Sequence, residues 1–159
     1  MVNINELIEN NKANHNKLIV LVGDKQGKKE EIINYLQDQD WEVYDIEEAV
    51  LNIIENEDIP QEKIHLRIGE KIKNWINTLG DKLILINSNI LFSPEVKKIT
   101  PTDLFAYAMR GQKQGILFLE ARLRENEAIY STPDRDDYCK MDLSGLVYEN
   151  IENVTVRSE

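Results

Sequence analysis

The chain has 159 residues, a formal net charge of −10 and a single cysteine, Cys139. This length fits one domain that buries about two thirds of its unfolded surface, so we expect residues 1–159 to form a single domain. One cysteine excludes an intrachain disulfide and a cysteine metal cluster, and the acidic balance argues against broad nonspecific nucleic-acid binding, which depends on phosphate neutralisation.

The first elements along the chain form a strand between two helices. Residues 3–11 place apolar side chains at helical spacing, which predicts a short leading helix. Residues 17–22 are an apolar run that predicts a buried strand, and residues 30–36 continue with a helical pattern that begins near Gly27. The loop between that strand and the second helix therefore lies at a helix N-terminus, where unpaired N–H groups and the helix dipole attract anions.

The sequence of this loop is close to the phosphate-binding motif G-x-x-x-x-G-K-[ST]. In that motif the backbone N–H groups surround phosphates, the lysine reaches the outer phosphates and the hydroxyl binds Mg²⁺. Here only three residues separate Gly23 from Gly27, one fewer than the motif has, and Lys29 replaces the Ser or Thr. We assign phosphate or nucleotide binding to seven consecutive residues: Gly23, Asp24, Lys25, Gln26, Gly27, Lys28 and Lys29.

The middle of the chain continues the alternation of strands and helices. Residues 41–46 predict a second strand, and two helices follow, over residues 47–55 and 64–79, interrupted near Pro60. We expect Gly80 to cap the second of these helices. The apolar run at residues 83–86 predicts a third strand of the kind found in covered parallel sheets.

The last third of the chain predicts one more helix and two more strands. The helix begins near Pro101 and Thr102 and ends at Gly111, and residues 116–119 form the fourth strand. The fifth strand is either 128–131 or 146–148, with a short helix at 134–139 between them. Strands that alternate with amphipathic helices indicate an α/β fold with a mostly parallel five-stranded sheet and ligands at the carboxyl ends of the strands.

The residues at the end of the third strand also indicate whether the chain can bind and hydrolyse a magnesium nucleotide. In P-loop ATPases of the RecA/AAA-like class, a later apolar strand ends in an Asp that helps to hold Mg²⁺, often beside a Glu that activates water. Here the neutral Asn87 stands at that place, or Ile86 if the register is shifted by one residue, and Asn89 is the nearest further polar candidate. An amide neither offsets the metal charge nor accepts a proton. We therefore assign no catalytic and no metal-binding residue and expect Mg²⁺ binding to be weak.

This pattern resembles the BrxF family, small P-loop proteins of BREX bacteriophage-exclusion systems, over most of the chain. The runs that carry the resemblance are Asp45-Ile-Glu-Glu-Ala-Val, Asp58-Ile-Pro-Gln-Glu-Lys, Asn87-Ser-Asn-Ile-Leu-Phe-Ser-Pro-Glu-Val, Thr100-Pro-Thr-Asp-Leu-Phe, Arg110-Gly before Gly115-Ile-Leu-Phe-Leu, and Ala128-Ile-Tyr-Ser with Asp136-Asp-Tyr. The resemblance implies a three-layer P-loop NTPase-like fold, a phosphate loop at Gly23, Gly27 and Lys28, and other defence-system proteins as partners. The loop departs from the family, whose typical members are closer to the intact motif.

Three interpretations of function follow. The first is an accessory subunit of a BREX system that binds ATP or ADP weakly or not at all and acts through protein contacts. The second is a homo-oligomeric ATPase that completes its site with groups from neighbouring subunits, for which Arg110 is the candidate arginine sensor. The third is a regulatory factor whose lysine-rich loop holds DNA phosphate. In a purely structural interpretation, Gly23 and Gly27 only turn the chain.

The remaining sequence features favour a cytoplasmic protein without a membrane partner. The N-terminus has no basic region followed by a long apolar stretch, and no segment reaches the length of a membrane span. His15 and His65 lack a metal-ligand spacing and receive no role. The large aromatic residues are expected to belong to the core: Trp41, Trp75 and Phe92.

Overall fold

Ten β-strands and five α-helices make up the described part of the chain, which in this computed structural model is residues 1–96 and 100–156. The strands are β1 (Val2–Asn3), β2 (Leu18–Val22), β3 (Glu42–Asp45), β4 (Lys82–Ile86), β5 (Gln114–Leu119), β6 (Arg122–Arg124), β7 (Glu127–Tyr130), β8 (Cys139–Asp142), β9 (Val147–Asn150) and β10 (Val154–Thr155). The helices are α1 (Ile4–Asn11), α2 (Gln26–Gln37), α3 (Ile46–Asn56), α4 (Ile64–Asn77) and α5 (Pro101–Ala108). Short 3₁₀ helices lie at Gln61–Lys63, Ser88–Phe92 and Ile151–Asn153.

The main sheet has five strands in the order β3-β4-β5-β2-β9, and every pairing in it is parallel. This confirms the predicted α/β architecture with a parallel five-stranded sheet. The fifth strand is β9, so the prediction at residues 146–148 is correct and the alternative at 128–131 is wrong. Residues 127–130 form β7 in a separate sheet of order β6-β7-β8. A connection of only two residues joins β6 to β7, and so short a connection permits only antiparallel pairing.

Helices cover both faces of the main sheet. On one face, Ile19 and Leu21 of β2 pack with the apolar side chains of α1 and α2. On the other, Leu18, Val20 and Val22 pack in a cluster with those of α3, α4 and α5. All five residues of β2 are buried, because alternate side chains enter the two cores. The arrangement is compatible with a three-layer fold.

Three predictions differ from the structure, namely the C-terminal ends of two helices and a short helix at residues 134–139. Helix α4 ends at Asn77 with Thr78 as its cap in a right-handed conformation, so Gly80 is not the C-cap. Helix α5 ends at Ala108, and Gly111 instead takes a positive φ of 67° in the turn before β5. Residues 134–139 form turns and the start of β8 rather than a helix, because the hydroxyls and carboxylates there bond locally within the loop.

The two ends of the described chain meet beside the main sheet. Strands β1 and β10 pair in parallel, with Val2 opposite Val154. This pairing holds the 3₁₀ turn Ile151–Asn153 next to the sheet, and that turn contacts α2. The last strand of the sheet and the turn that follows it are therefore fixed near the loop that joins β2 to α2. None of the helices in the described ranges combines the length and apolar character needed to cross a membrane.

We expect the buried side chains of α5, and not its exposed ones, to contribute to the free energy of unfolding. Phe105 is fully buried, whereas Tyr107 on the same helix is 52% exposed. Phe105→Ala should lower the free energy of unfolding by about 3–5 kcal/mol, because it removes an aromatic ring from a close-packed core. Tyr107→Ala is the matched control and should cost less than about 1 kcal/mol. Urea denaturation followed by circular dichroism measures both, and equal losses would contradict this assignment of the core.

Candidate functional site

The connection from β2 to α2 contains three residues, Gly23, Asp24 and Lys25. Helix α2 begins at Gln26, and its N-cap residue Lys25 makes no side-chain capping bond. The carbonyl of Lys25 accepts the first helical bond from the Lys29 amide at 2.9 Å. The amides of the first helical turn before Lys29 have no intrahelical acceptor by the geometry of a helix end. The seven predicted loop residues therefore form a tight turn followed by the first turn of α2.

Gly23 is closely packed against the C-terminal turn. Its φ is +138°, and a Cβ added to it would lie 2.6 Å from Cγ2 of Ile151. The Gly23 amide is also engaged, since it donates to the carbonyl of Leu119 at 3.0 Å. Only glycine fits this backbone and this contact. The first glycine thus serves a close approach of two chain segments, and its N–H is committed to β5 instead of facing a ligand.

The lysines of the loop differ in their surroundings. Lys25 Nζ lies 3.9 Å from a carboxylate oxygen of Glu152, and both side chains are more than half exposed. An ion pair of this length at the surface contributes little to stability. Lys28 and Lys29 make no ion pair with any of the residues described, and both are half-buried on the first turns of α2. The loop therefore presents two lysines whose charges are uncompensated within the described structure.

The asparagines predicted at the end of the third strand are bound to carboxylates from neighbouring strands. Asn87, in a left-handed conformation with φ of +57°, donates from Nδ2 to Oδ2 of Asp45 at 2.8 Å. Asn89 donates from Nδ2 to Oε2 of Glu120 at 3.2 Å. The other oxygen of Asp45 caps α3 by accepting from the Glu48 amide at 3.1 Å. The two amides thus tie β4 to the carboxyl ends of β3 and β5.

A cleft of about 420 Å³ opens at this edge of the sheet, between the loop and the antiparallel sheet β6-β7-β8. Two of the predicted residues, Asp24 and Asn89, line it together with Glu120. Its other wall consists of residues to which the sequence assigned no binding role: Ala121, Arg122, Ile129, Tyr130, Ser131, Arg135 and Asp137. The structure therefore brings one loop residue and one strand-end residue to a common cleft, in which Arg122 and Arg135 are the positive groups.

Hydrogen bonds and burial shift the pKa values of two residues in the cleft wall that faces the loop. Arg135 Nε donates to Asp137 at 3.0 Å and the Ser131 hydroxyl donates to the same oxygen at 2.7 Å. These bonds, with that from Arg135 the stronger cause, hold the pKa of Asp137 below its usual value. Burial, followed by the charges of Asp137 and Glu120, raises the pKa of Tyr130. Asp137 is thus ionised and Tyr130 neutral near pH 7.

Glu120 is the functional candidate that the sequence interpretation missed. It directly follows the buried strand β5, the strand that lies between β4 and β2 in the sheet. The rule that identified Asn87, namely the first polar residue after an apolar strand, also identifies Glu120. Only the strand order shows that β5 is the direct neighbour of β2. The carboxyl edge beside the loop therefore carries a carboxylate, although β4 does not supply it.

Arg110 lies beyond the amino end of β5, whereas the loop lies at the carboxyl ends of the strands. It precedes β5, donates from Nε to Asn16 at 3.3 Å and lies over the ring of Tyr107, 5.6 Å from its centroid. The six residues of β5 span roughly 16–20 Å, so Arg110 is about one strand length from the loop of its own chain. Its proposed role toward the loop of a neighbouring subunit stays a prediction.

Comparison of the chain with protein-family models, with curated proteins and with solved structures finds no match. The assignment of a function therefore depends on the geometry of the cleft and loop and on the resemblance of the sequence runs.

The two glycines of the loop should respond to alanine in opposite directions. Gly23→Ala should lower the free energy of unfolding by about 1–3 kcal/mol, because it combines a positive φ with a clash against Ile151. Gly27→Ala is the matched control. Nothing lies within 4 Å of its added Cβ, and it is inside α2. This variant should be more stable by about 0.5–1 kcal/mol, because alanine favours a helix over glycine. Urea denaturation measures both, and a destabilised Gly27→Ala would contradict the placement of Gly27 in α2.

Proposed function

We infer that the chain is a P-loop-type domain that has lost ordinary ATP hydrolysis and acts through protein contacts. The observation that carries this proposal is the β2–α2 connection, which joins a central parallel strand directly to a helix N-terminus in only three residues. A strand, a glycine turn and a helix in the middle of a parallel sheet are the setting of a phosphate loop. The shortness of the turn is what separates this loop from a working one.

Three features of the site disfavour a magnesium nucleotide. The Gly23 amide is bonded to Leu119, so it is not free to donate to a phosphate. Lys29 stands where the motif has a hydroxyl ligand for Mg²⁺. Asn87 is neutral, and its Nδ2 group donates to Asp45. The residues present do not fit the Mg²⁺–phosphate arrangement of a P-loop ATPase, and we derive no hydrolytic step through it.

We further propose that the protein serves as an accessory subunit of a BREX phage-exclusion system. Support comes from the positions of the sequence runs that resemble the BrxF family. Asp45 begins one run, Asn87 begins another, and these two residues are hydrogen-bonded at the carboxyl edge. Phe92 of the second run stacks on Tyr130 of a third, with ring centroids 3.9 Å apart. Runs that are distant in sequence thus contact one another near the carboxyl edge of the sheet.

Calorimetric titration with ATP and ADP, with and without Mg²⁺, tests the loss of nucleotide chemistry. We expect no Mg²⁺-dependent binding tighter than about 1 mM, which corresponds to a binding free energy of about −4 kcal/mol. Sub-millimolar, Mg²⁺-dependent binding of ATP, accompanied by hydrolysis that Lys28→Ala abolishes and Lys12→Ala leaves intact, would remove the proposal. Lys12 is an exposed lysine at the C-cap of α1, paired with Glu9, and therefore serves as the control.

A phage plating assay tests the accessory role in a bacterium that carries the chain within its defence system. Deletion of the gene should abolish protection, and expression of Lys28→Ala should restore it, because the proposed role does not require phosphate binding. Phe105→Ala is the sensitivity control and should fail to restore protection, since it removes a core side chain. Full protection after deletion, or loss of protection with a stably folded Lys28→Ala variant, would contradict the proposal.

A second candidate function is an ATPase that completes its site from neighbouring subunits, and Glu120 is the observation that favours it. A carboxylate at the end of β5, in the same cleft as Asp24, has the position from which a water could be activated. This candidate requires hydrolysis whose specific activity rises with protein concentration and falls more than about tenfold in Glu120→Gln. Activity that is absent, or unchanged in Glu120→Gln, would exclude it.

A further inference from the structure

An apolar groove lies between α4 and α5, on the face of the sheet away from α1 and α2. It encloses about 610 Å³. The residues that line it are His65, Leu66, Ile68, Gly69, Glu70, Lys73, Leu91, Val96, Leu104 and Tyr107. Two of them are among the few large apolar side chains that the described structure leaves more than half exposed: Leu66 is 57% exposed and Tyr107 is 52% exposed. Isolated exposed apolar side chains are common, but two that share one concave surface indicate a binding surface.

One end of this α4–α5 groove is positively charged, although the whole chain is acidic. Lys73 lines both the groove, where Glu70 is the acidic residue, and an adjoining depression in which Lys73, Arg110 and Lys113 outnumber the one carboxylate, Asp81. The Lys113 ammonium is already bonded to the carbonyls of Leu79 and Gly80, whereas Lys73 makes no bond or ion pair with the described residues. Lys73 is exposed and can therefore pair with a carboxylate of a partner. Because two copies with a net charge of −10 each repel one another, a contact between copies must place carboxylates of one copy against the cations at this end of the other.

Helix α3 carries an acidic surface with one exposed leucine, which complements the basic end and the apolar lining of the groove. Its three charged residues are all glutamates, and it contains no lysine or arginine. Glu47, Leu51 and Glu55 are spaced four residues apart, so they form one stripe along the helix, and Leu51 is 51% exposed. The stripe places one exposed leucine between two carboxylates, about 6 Å on either side.

We propose that the α4–α5 groove binds helix α3 of a second copy of this chain. In this contact Leu51 enters the groove between Leu66 and Tyr107, and a carboxylate of the α3 stripe pairs with Lys73. Apolar burial supplies the affinity and the charge pair fixes the orientation of the helix in the groove. The proposal goes beyond the proposed function and does not use the phosphate loop.

The location of the two surfaces favours a two-fold dimer. Helix α3 packs in the same core cluster as α4 and α5, so both surfaces belong to one face of the sheet. Two copies facing each other can therefore insert each α3 into the groove of the other, as an isologous interface requires. An eleven-residue helix is about 16 Å long, and one such contact is small beside the roughly 1,200 Å² that a stable interface buries. Using the contact twice doubles the buried area.

Sedimentation equilibrium across protein concentrations tests the proposal through charge reversal. Wild type should change from monomer to dimer mass as its concentration rises. Lys73→Glu and the double variant Glu47→Lys/Glu55→Lys should each raise the dimer dissociation constant at least about tenfold, because like charges then face each other. An equimolar mixture of these two variants should recover the wild-type dissociation constant, since every reversed charge again meets its opposite.

Two controls separate the proposed contact from a general effect of net charge. Glu9→Lys/Glu31→Lys makes the same charge change on exposed positions of α1 and α2, on the other face of the sheet, and should dimerise as wild type does. Leu66→Ala should weaken the dimer about tenfold without any charge change. A wild-type chain that stays monomeric at all concentrations, a dimer unaffected by Lys73→Glu, or a variant mixture that fails to recover would each overturn the proposal. If the groove binds an acidic partner other than a second copy, the wild-type chain will sediment as a monomer at every concentration.

Discussion

The burial of β2 on both faces is the constraint on which the rest of the structure depends. Each of its five apolar side chains enters one of two cores, and complete burial of such a side chain contributes about 1.5–3 kcal/mol. A strand covered on both faces needs a strand on each side and a helix layer above and below. The position of β2 between β5 and β9 therefore determines where the β2–α2 connection emerges and which strand ends surround it.

The same constraint explains why the turn after β9 packs closely against Gly23. Strand β9 pairs with β2 up to Asn150, so the chain that leaves β9 must turn immediately beside Gly23. Ile151 fills that position, and the pairing of β1 with β10 holds the turn in place. A glycine without a Cβ is what allows this packing. The packing of Ile151 therefore determines both the residue type at position 23 and the path of the chain there.

At the carboxyl edge, polar side chains serve structure and leave a mixed-charge cleft. Asn87 and Asn89 join three strand ends through Asp45 and Glu120, which gives both half-buried amides an acceptor and orients both carboxylates. The cleft and the α4–α5 groove lie in different parts of the fold, since the groove is formed by helices that cover one face of the sheet. The two surfaces are therefore separate, one at the strand ends and one on the helix layer.

The sequence by itself determined the apolar runs of β2, β4 and β5, the helices between them and the glycine turn at residue 23, because these depend on local periodicity and backbone freedom. It did not distinguish residues 128–131 from 146–148 as the fifth strand, since both are short and apolar and only their pairing differs. The tertiary structure alone decided the strand order. In the folded chain Glu120 lies next to the loop, Arg110 lies beyond the amino end of β5, and Ile151 packs against Gly23. These positions depend on contacts between distant segments, which local sequence patterns do not determine.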